Sequence, residues 1–313
     1  MTIDSGDDAT MILRNLCRTA FVLLSALSAM APALAWGPVG HEVVAQIAYD
    51  NLKPNVKAKV NAILAADPRG RSLADASTWP DSIRHSNKVP ASEIHASEHY
   101  VNVPLTNGTL PPPPERATYY VEPETVTIGI ADNATVLADG SSKPQERADA
   151  LSWLIHLVGD IHQPLHCVAR ITDEHPLPHG DQGGNLYSVR APHITPSGNI
   201  GVRKTSLHAY WDSVPSMLDL SATPQQLAAA IEKSNPIASC PSPDNASPKD
   251  AAIWANESCE LALTVYATPE NEQLTDEYIA ASKAIARDRL ARAGYRLAGL
   301  LNALLKDTQA TGK

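Results

Sequence analysis

Two side chains that could bind a metal ion lie one helical turn apart near the middle of the chain. His156 and Asp160 are four positions apart, so a helix would place both on one face. Imidazole and carboxylate both suit zinc, and such a pair could hold one ion or bridge two. The alternative is a polar notch in a buried helix, in which the two groups satisfy each other. The pair alone does not decide between these interpretations.

The segment around this pair has the pattern of a core helix. Apolar residues recur at helical spacing at Leu151, Leu154, Ile155 and Val158. Pro164 has no backbone N–H and disfavours a helical conformation at the residue before it, so the helix should end near Gln163. His166 would then lie on the following turn as a third potential ligand.

Most of the chain has helical periodicity, which predicts a mainly α, single-domain fold. Two stretches differ: residues 67–126 predict loops with short helices, and residues 170–203 predict a loop with a small β-hairpin. The helices are expected at residues 40–66 with a break at Pro54, from about 125 into the central helix, at 206–234 in two pieces divided near Thr223-Pro224, and at about 275–306.

The N-terminal region has the layout of a secretory signal. Arginines precede an apolar run from Ala20 to Ala31, and an A-x-A cleavage pattern ends at Ala35. The run is too short for a membrane span. Because residues 1–10 are acidic and polar, we expect translation to begin at Met11. Export with cleavage after Ala35 would give a secreted or periplasmic protein that has no stable association with a membrane.

Charge and cysteine content limit the partners and the compartment. A net charge of −9 argues against a broad basic surface for polyanions. A phosphate-bearing substrate would therefore need a local cation, which a bound metal could supply. In an oxidising compartment Cys240 and Cys259 could form a disulfide, which leaves Cys167 as the odd thiol.

Further potential ligands lie on both sides of the central helix. His208 and Asp212 repeat the four-residue spacing on a second predicted helix. After cleavage, the α-amino group of Trp36 would have a pKa near ~7.7 to 8.0, so it could coordinate a metal together with its own carbonyl. The whole set contains nitrogen and oxygen donors and no thiolate: Trp36, His41, Asp81, His99, His156, Asp160, His166, His208 and Asp212.

In this combination of motifs the chain resembles the zinc-dependent single-strand nucleases of fungi, plants and bacteria, which share a superfamily with bacterial zinc phospholipase C. The motifs are Trp36-Gly-x-x-Gly-His41, Trp79-Pro-Asp81, His156-x-x-x-Asp160-x-His-Gln-Pro-Leu-His166, Gly183-Gly-Asn185 and His208-x-x-x-Asp212. The resemblance implies that residues 36–313 form a helical, monomeric nuclease domain with three Zn²⁺ ions. It also implies endonuclease activity on single-stranded DNA and RNA, 5′-phosphate products and 3′-nucleotidase activity.

The same resemblance implies a division of the ligands among the three zinc ions. The sets are Asp81, His99, His156 and Asp160 for one ion of a close pair; Trp36, through its amino nitrogen and carbonyl, with His41 and the bridging Asp160 for the second; and His166, His208 and Asp212 for a third, more exposed ion. Two zinc ions ~3.5 to 4 Å apart can share a hydroxide and present it to a phosphorus atom.

Several other residues have candidate roles beside these ligands. Arg84 matches an Arg of the family and could clamp a phosphate, although a surface Arg is the alternative. Asn102 replaces an Asp found in fungal members, so it could orient a water molecule but could not take a proton from it. Asn185 could contact the substrate or permit a left-handed turn. His162 faces a different direction from Asp160, which indicates a structural or supporting role.

Base recognition is expected from an aromatic ring that stacks on unpaired bases. The sequence does not choose among Tyr100, Tyr119, Tyr120 and Tyr187. A phospholipase C of the same superfamily is the nearest rival function, but its last ligand motif ends in Glu rather than in Asp212. A secreted protein with purely structural zinc is a rival of another class, and it would need closed sites with four protein ligands.

Overall fold

The computed structural model describes residues 36–84, 94–240 and 246–306. The predicted signal peptide and the predicted start at Met11 lie outside the described residues. The helices are α1 (Pro38–Asp50), α2 (Pro54–Ala65), α3 (Leu73–Ile83), α4 (Pro113–Tyr119), α5 (Val126–Ala138), α6 (Pro144–Asp160), α7 (Leu207–Ser213), α8 (Pro224–Ser234), α9 (Ala251–Cys259), α10 (Ala262–Val265) and α11 (Asp276–Leu304), and the strands are β1 (Val103–Thr106), β2 (Val168–Ile171), β3 (Ser188–Ile194) and β4 (Ile200–Ser206). The fold is mainly α, as predicted.

Helix α6 is the buried centre of the fold. It begins at Pro144, whose missing N–H is not needed in a first turn, and Glu146 accepts a hydrogen bond from the Lys143 N–H at 3.0 Å. Contacts with α1, α3, α5 and α11 bury every residue from Ala150 to Asp160. The helix ends at Asp160, and a 3-10 turn at Pro164–His166 follows. The structure therefore confirms the prediction for this segment.

Helix α11 packs along α1 and covers the other side of the core. The two helices are very close, because a Cβ atom on Gly294 would lie 2.4 Å from Ile47 Cγ2. A larger residue at this position would push the helices apart. The predicted helix boundaries at the prolines are also confirmed, since α2 begins at Pro54 and α8 begins at Pro224. None of the described helices is both long and apolar enough to cross a membrane.

The two small sheets differ in how far apart their strands lie in the chain. The β-hairpin expected within residues 170–203 is the antiparallel pair β3 and β4. Strands β1 and β2 form a parallel pair, with Val103 opposite Val168, which the sequence pattern did not predict. This second pair continues towards the site, because the Val101 N–H donates to the His166 carbonyl at 2.8 Å. It therefore brings the segment of His99 beside the segment of His166.

Asp81 lies in the stretch where loops with short helices were predicted. It is near the end of one such helix, α3, which has eleven residues and contains Pro80. The helix has a strong start, because the Ser72 side chain accepts from the Asp75 N–H and the Asp75 side chain accepts from the Ser72 N–H. This capping box supports a helix despite the proline near its other end.

The expected disulfide between Cys240 and Cys259 is wrong for this structure. Cys259 is a free, buried thiol. Its neighbours are Arg116 and Tyr120, and it also lies near Cys167, whereas the charged groups near Cys240 are those of α9 and α11. The two thiols therefore occupy different environments, and spacing along the chain did not reveal this.

Candidate metal centre

Three helices bring the first group of potential ligands together in the core. His156 and Asp160 come from α6, Asp81 comes from α3 and His41 comes from α1. The His156 Nε2 atom lies 3.6 Å from Asp81 Oδ1 and 3.3 Å from Asp160 Oδ2. The His41 Nε2 atom lies 3.4 Å from Asp160 Oδ1. Asp160 thus presents its two oxygens to different imidazoles.

His99 joins this group from the end of a 3-10 turn at Ala96–His99. Its Nδ1 atom lies 3.0 Å from Asp160 Oδ2 and 3.1 Å from His156 Nε2. The distance from Nδ1 to Asp81 Oδ1 is 3.9 Å. The side chain is fully buried. His99, His156 and Asp160 therefore share a space in which one ligand atom from each residue lies within 4.8 Å of the other two.

His166, His208 and Asp212 form a separate group, in which one ligand atom from each residue again lies within 4.8 Å of the other two. The His208 Nε2 atom lies 3.5 Å from Asp212 Oδ2, and the His166 and His208 rings are 5.0 Å apart. His208 and Asp212 occupy one face of α7, as their spacing predicted. The Ser206 side chain begins this helix by accepting from the Ala209 N–H at 3.1 Å.

Backbone carbonyl groups orient three of these imidazoles. The Nδ1 atoms of His156, His166 and His208 lie 2.9, 2.7 and 2.7 Å from the carbonyl oxygens of Ser77, His99 and Gly183. A carbonyl can only accept, so each Nδ1 carries a proton, and Nε2 is the ring nitrogen left for a metal ion. This is the arrangement by which proteins orient histidine ligands. The sequence analysis did not identify these carbonyl groups, because no sequence pattern marks a backbone oxygen.

The two glycines before Asn185 shape the turn that supports His208. Gly183 and Gly184 have φ angles of 63° and 79°, a region that favours glycine. A Cβ atom on Gly183 would also lie 2.3 Å from the Leu165 carbonyl oxygen. The Asn185 side chain donates to the Gln182 carbonyl at 2.8 Å. The turn interpretation of Asn185 therefore has a direct contact in its favour.

Gln163 is a supporting residue that the sequence analysis missed. Its Nε2 group donates to Asp212 Oδ1 at 2.8 Å, and its Oε1 atom accepts from the Leu165 N–H at 2.6 Å. It therefore fixes one oxygen of Asp212 and the turn that leads to His166. Its position between Asp160 and His166 was the only available signal.

Trp36, Arg84 and Asn102 lie at the edges of these groups. Trp36 is fully buried, and the N–H of the next residue, Gly37, donates to the Asp212 carbonyl at 2.9 Å. The Arg84 Nη1 atom lies 3.7 Å from Asp81 Oδ1, and the Arg84 side chain keeps 18% of its surface exposed. Asn102 is half-buried between two buried valines, directly after the segment of His99.

Burial and contacts distinguish the tyrosines considered for base stacking, and they also place His162. Tyr120 and Tyr187 are buried in the core, so they cannot stack on a base. Tyr100 is 37% exposed and follows His99 directly, and Tyr119 is half-buried. His162 is fully buried and lies 2.9 Å from Arg296 Nη1, so it belongs to another cluster, as its direction predicted.

Burial controls the protonation of the histidines in these groups. It holds the pKa values of His41, His99 and His166 well below the usual value, and neighbouring imidazoles lower them further. Burial also lowers the pKa of His208 to about 4. These rings are therefore neutral at pH 7, which is the state that binds metal ions. His156 differs: burial lowers its pKa, but Asp160 and Asp81 outweigh this effect and raise it to about 9.

The carboxyl groups of Asp160 and Asp212 are buried, so their negative charges have lost the stabilisation that water would give. Burial raises the pKa of both groups well above the usual value. Several buried nitrogen and oxygen atoms that could bind a metal ion also have no hydrogen-bond partner among the described residues. They are Nε2 of His41 and His166, Oδ1 of Asp81 and Asp160, and Oδ2 of Asp212. Buried polar atoms normally have partners. Divalent cations would satisfy these atoms, and nitrogen and oxygen donors without thiolates suit zinc.

The fold and the site together define a mainly α protein with a buried His/Asp centre able to hold metal ions. A family model described as S1/P1 Nuclease matches residues 36–306. The chain therefore belongs to the S1/P1 nuclease family, and it is a hydrolase that acts on phosphodiester bonds. The resemblance inferred from the motifs is confirmed.

Individual relatives agree with this assignment over most of the chain. Endonuclease 5 of Arabidopsis thaliana is 30% identical over 86% of this chain and 90% of its own length. Nuclease S1 of Aspergillus oryzae is 27% identical over 88% of this chain and 96% of its own length. Nuclease P1 of Penicillium citrinum is 26% identical over 85% and 97%, respectively.

Proposed function

We propose that this protein is a zinc-dependent endonuclease that cleaves single-stranded DNA and RNA to 5′-phosphate products and also acts as a 3′-nucleotidase. The observation that carries the proposal is the convergence of buried imidazoles and carboxylates whose partnerless atoms face one another. Relatives named as nucleases support nucleic acid as the substrate. We further propose that the protein acts as a monomer in a secreted or periplasmic location.

Three zinc ions would be held by the two groups of ligands. Zinc supplies Lewis acidity, which lowers the pKa of water and stabilises negative charge on phosphoryl oxygens. The ligand sets are Asp81, His99, His156 and Asp160 for the first ion, His41 and Asp160 with the amino nitrogen and carbonyl of Trp36 for the second, and His166, His208 and Asp212 for the third. The separate directions of the two Asp160 oxygens support its role as the bridge.

The remaining residues would act directly on the substrate and on water. Arg84 carries the guanidinium closest to Asp81, at 3.7 Å, and its planar fork would donate to phosphate oxygens. Asn102 would orient the attacking water by a hydrogen bond, but an amide cannot take its proton. Deprotonation would therefore depend on the metal ions alone. Asn185 bonds within its own turn, so we assign it to positioning rather than to substrate contact.

The first experiment is to measure metal content and hydrolysis on the same purified protein that begins at Trp36. Elemental mass spectrometry should find about three zinc ions per chain. The same sample should hydrolyse single-stranded DNA and RNA and release phosphate from 3′-nucleotides, and a chelator should abolish both activities. One zinc ion or none, with no hydrolysis, would contradict the proposal. Hydrolysis of phosphatidylcholine instead of nucleic acid would favour the phospholipase alternative.

The role of Trp36 as a ligand can be tested separately. A protein with one extra alanine before Trp36 should lose zinc from the close pair, because its amino group would be displaced from the site. The matched control is the protein that begins at Trp36 itself. Equal zinc content and equal activity in the two proteins would show that the terminal amino group is not a ligand.

A further inference from the structure

The hairpin formed by β3 and β4 has an unusual charge for this acidic protein. Residues 188–206 contain Arg190, Arg203 and Lys204 and no Asp or Glu, although the whole chain has a net charge of −9. None of these three cations makes an ion pair with a residue that the structure describes. A local set of unpaired cations is the kind of surface that attracts phosphate groups.

The register of the hairpin divides these residues between two faces. Arg190 is opposite Lys204, Pro192 is opposite Val202 and Ile194 is opposite Ile200. Side chains alternate along a strand, so these three pairs occupy one face in consecutive rows. Arg203 is opposite Ala191 and belongs to the other face, which carries the buried Val189 and Ala191.

The face with the three rows is open to solvent. Val202 is 48% exposed, Ile200 is 50% exposed and Ile194 is 41% exposed. The adjoining segment places the neutral Gln273 beside Arg190, and the carbonyl of the preceding Glu272 accepts from the Arg190 N–H at 2.8 Å. The face therefore presents one row of cations followed by two apolar rows. Single-strand-binding surfaces combine cations for the backbone with aromatic side chains for unpaired bases, and here aliphatic side chains occupy the place of the aromatic ones.

The hairpin is attached directly to the group of His166, His208 and Asp212. The Leu207 N–H donates to the Tyr187 carbonyl at 2.7 Å, which closes the base of the hairpin. Strand β4 continues into α7, so Lys204 and His208 are only four positions apart in the chain. The reach of the chain limits this separation to at most about 14 Å. A strand bound at the metal centre could therefore continue onto the row of cations.

We propose that the exposed face of the β3–β4 hairpin binds the single strand beyond the cleaved phosphodiester. Arg190 and Lys204 contact its phosphates, and the rows of Pro192–Val202 and Ile194–Ile200 contact its bases. This inference rests on the proposed nuclease function and extends it, since it assigns a preference for long strands over dinucleotides. A second copy of the chain is the competing occupant of the same face.

The test compares Arg190→Gln/Lys204→Gln with Arg203→Gln/Lys233→Gln, which removes the same charge elsewhere. Lys233 is exposed and lies on α8. Each phosphate contact on a single strand adds about 0.7 to the slope of log affinity against log salt. For a twelve-residue oligothymidylate, the first variant should therefore show a KM raised about 10-fold in 50 mM salt and a slope reduced by about 1.4. Hydrolysis of a dinucleotide should be unchanged in both variants, which also shows that both are folded.

The apolar rows have their own test. Ile200→Ser/Val202→Ser should raise KM for the oligothymidylate roughly threefold without a change in the salt slope, because it removes contact area and no charge. Equal KM values and slopes for the wild-type protein and Arg190→Gln/Lys204→Gln would overturn the inference. It would also be overturned if the wild-type protein were a dimer that the apolar variant dissociates without a kinetic change. Failure of the wild-type protein to cleave any strand or dinucleotide would instead contradict the proposed nuclease function, and the inference with it.

Discussion

Two buried polar clusters contact the segment 161–163. They differ in how many of their polar atoms have hydrogen-bond partners. In the candidate metal centre, several buried oxygen and nitrogen atoms lack hydrogen-bond partners. In the second cluster, Arg296 donates to Glu257 at 2.8 and 2.9 Å and lies 2.9 Å from His162 Nε2. The Nδ1 group of His162 donates to the Val158 carbonyl at 2.8 Å. Among these side chains only Arg296 Nε lacks a partner.

The second cluster also holds the backbone of the metal-binding turn. Arg289 donates to the His162 carbonyl at 3.3 Å and to Ser258 at 2.8 Å. Ser258 in turn donates to the Ile161 carbonyl at 2.6 Å. A buried cluster that is satisfied internally stabilises the fold, whereas one with open donor atoms is prepared for a ligand. Burial of His and Asp therefore does not identify a metal site by itself, whereas several unsatisfied ligand atoms that lie close together do indicate one.

The largest expected effect is the loss of activity on substitution in the metal centre. Asp160→Asn should lower kcat/KM on single-stranded DNA by at least about 1000-fold, which corresponds to about 4 kcal/mol. The reason is that Asp160 is the proposed ligand of both zinc ions in the close pair. The free energy of unfolding without metal should not fall, since a buried charge is removed. Asp132→Asn, at an exposed carboxylate, is the matched control. Zinc content by elemental mass spectrometry should fall only in the first variant.

Substitution in the second cluster should have the opposite result. Arg296→Met should lower the free energy of unfolding by about 3 kcal/mol, because it leaves Glu257 and His162 without their main partner. The control is Arg292→Met on the same helix, where a partly exposed ion pair with Asp288 and a longer contact of 3.9 Å with Glu257 should together contribute less than about 1 kcal/mol. Urea denaturation measures both values. Equal effects of the two substitutions would show that the cluster contributes no special stability.

Gln163 lies between the two clusters, and its substitution should have an intermediate effect on metal binding. Gln163→Leu should weaken zinc retention about 10- to 100-fold, because supporting groups contribute this much to metal affinity by orienting ligands. Competition with a chelator of known affinity measures the change. Unaltered retention would mean that Asp212 does not need its hydrogen bond from Gln163 to hold a metal ion.

The smallest effect for each ionisable group is expected on the free energy of unfolding when the pH is lowered. The buried His41, His99, His162 and His166 have lowered pKa values, so below about pH 6.5 the unfolded chain binds protons that the folded chain does not. The free energy of unfolding should therefore decrease as the pH is lowered, by up to about 1.4 kcal/mol per pH unit for each of these histidines. Asp160 and Asp212 oppose this trend, because their pKa values are raised.

Acid sensitivity can be measured by urea denaturation in chelator at pH 7.5 and pH 5.5. Five histidines, including His208, have strongly lowered pKa values. They outnumber the three groups with strongly raised values, Asp160, Asp212 and His156, so the metal-free protein should be less stable at the lower pH. His156 also opposes the trend, because its pKa of about 9 keeps it protonated in the folded chain at pH 7.5, where the unfolded chain has lost this proton. Equal or greater stability at pH 5.5 would show that the buried rings take up protons without unfolding.

The sequence by itself determined the helices and the types of the candidate ligands. Helical periodicity located α6 and α11, and Pro164 marked the end of the central helix, because both signals depend on residues a few positions apart. The four-residue spacing of His156 with Asp160, and of His208 with Asp212, placed each pair on one face for the same reason. The family followed from the order of these motifs.

Only the tertiary structure decided which atoms meet across distant segments. The parallel pairing of β1 with β2, the carbonyl groups that orient His156 and His166, and the bond from Gln163 to Asp212 all join residues far apart in sequence or depend on backbone direction. The surroundings of Cys259 and the burial of Tyr187 were likewise set by packing. Such contacts depend on how all the helices fill the core together, so no local pattern of residues specifies them.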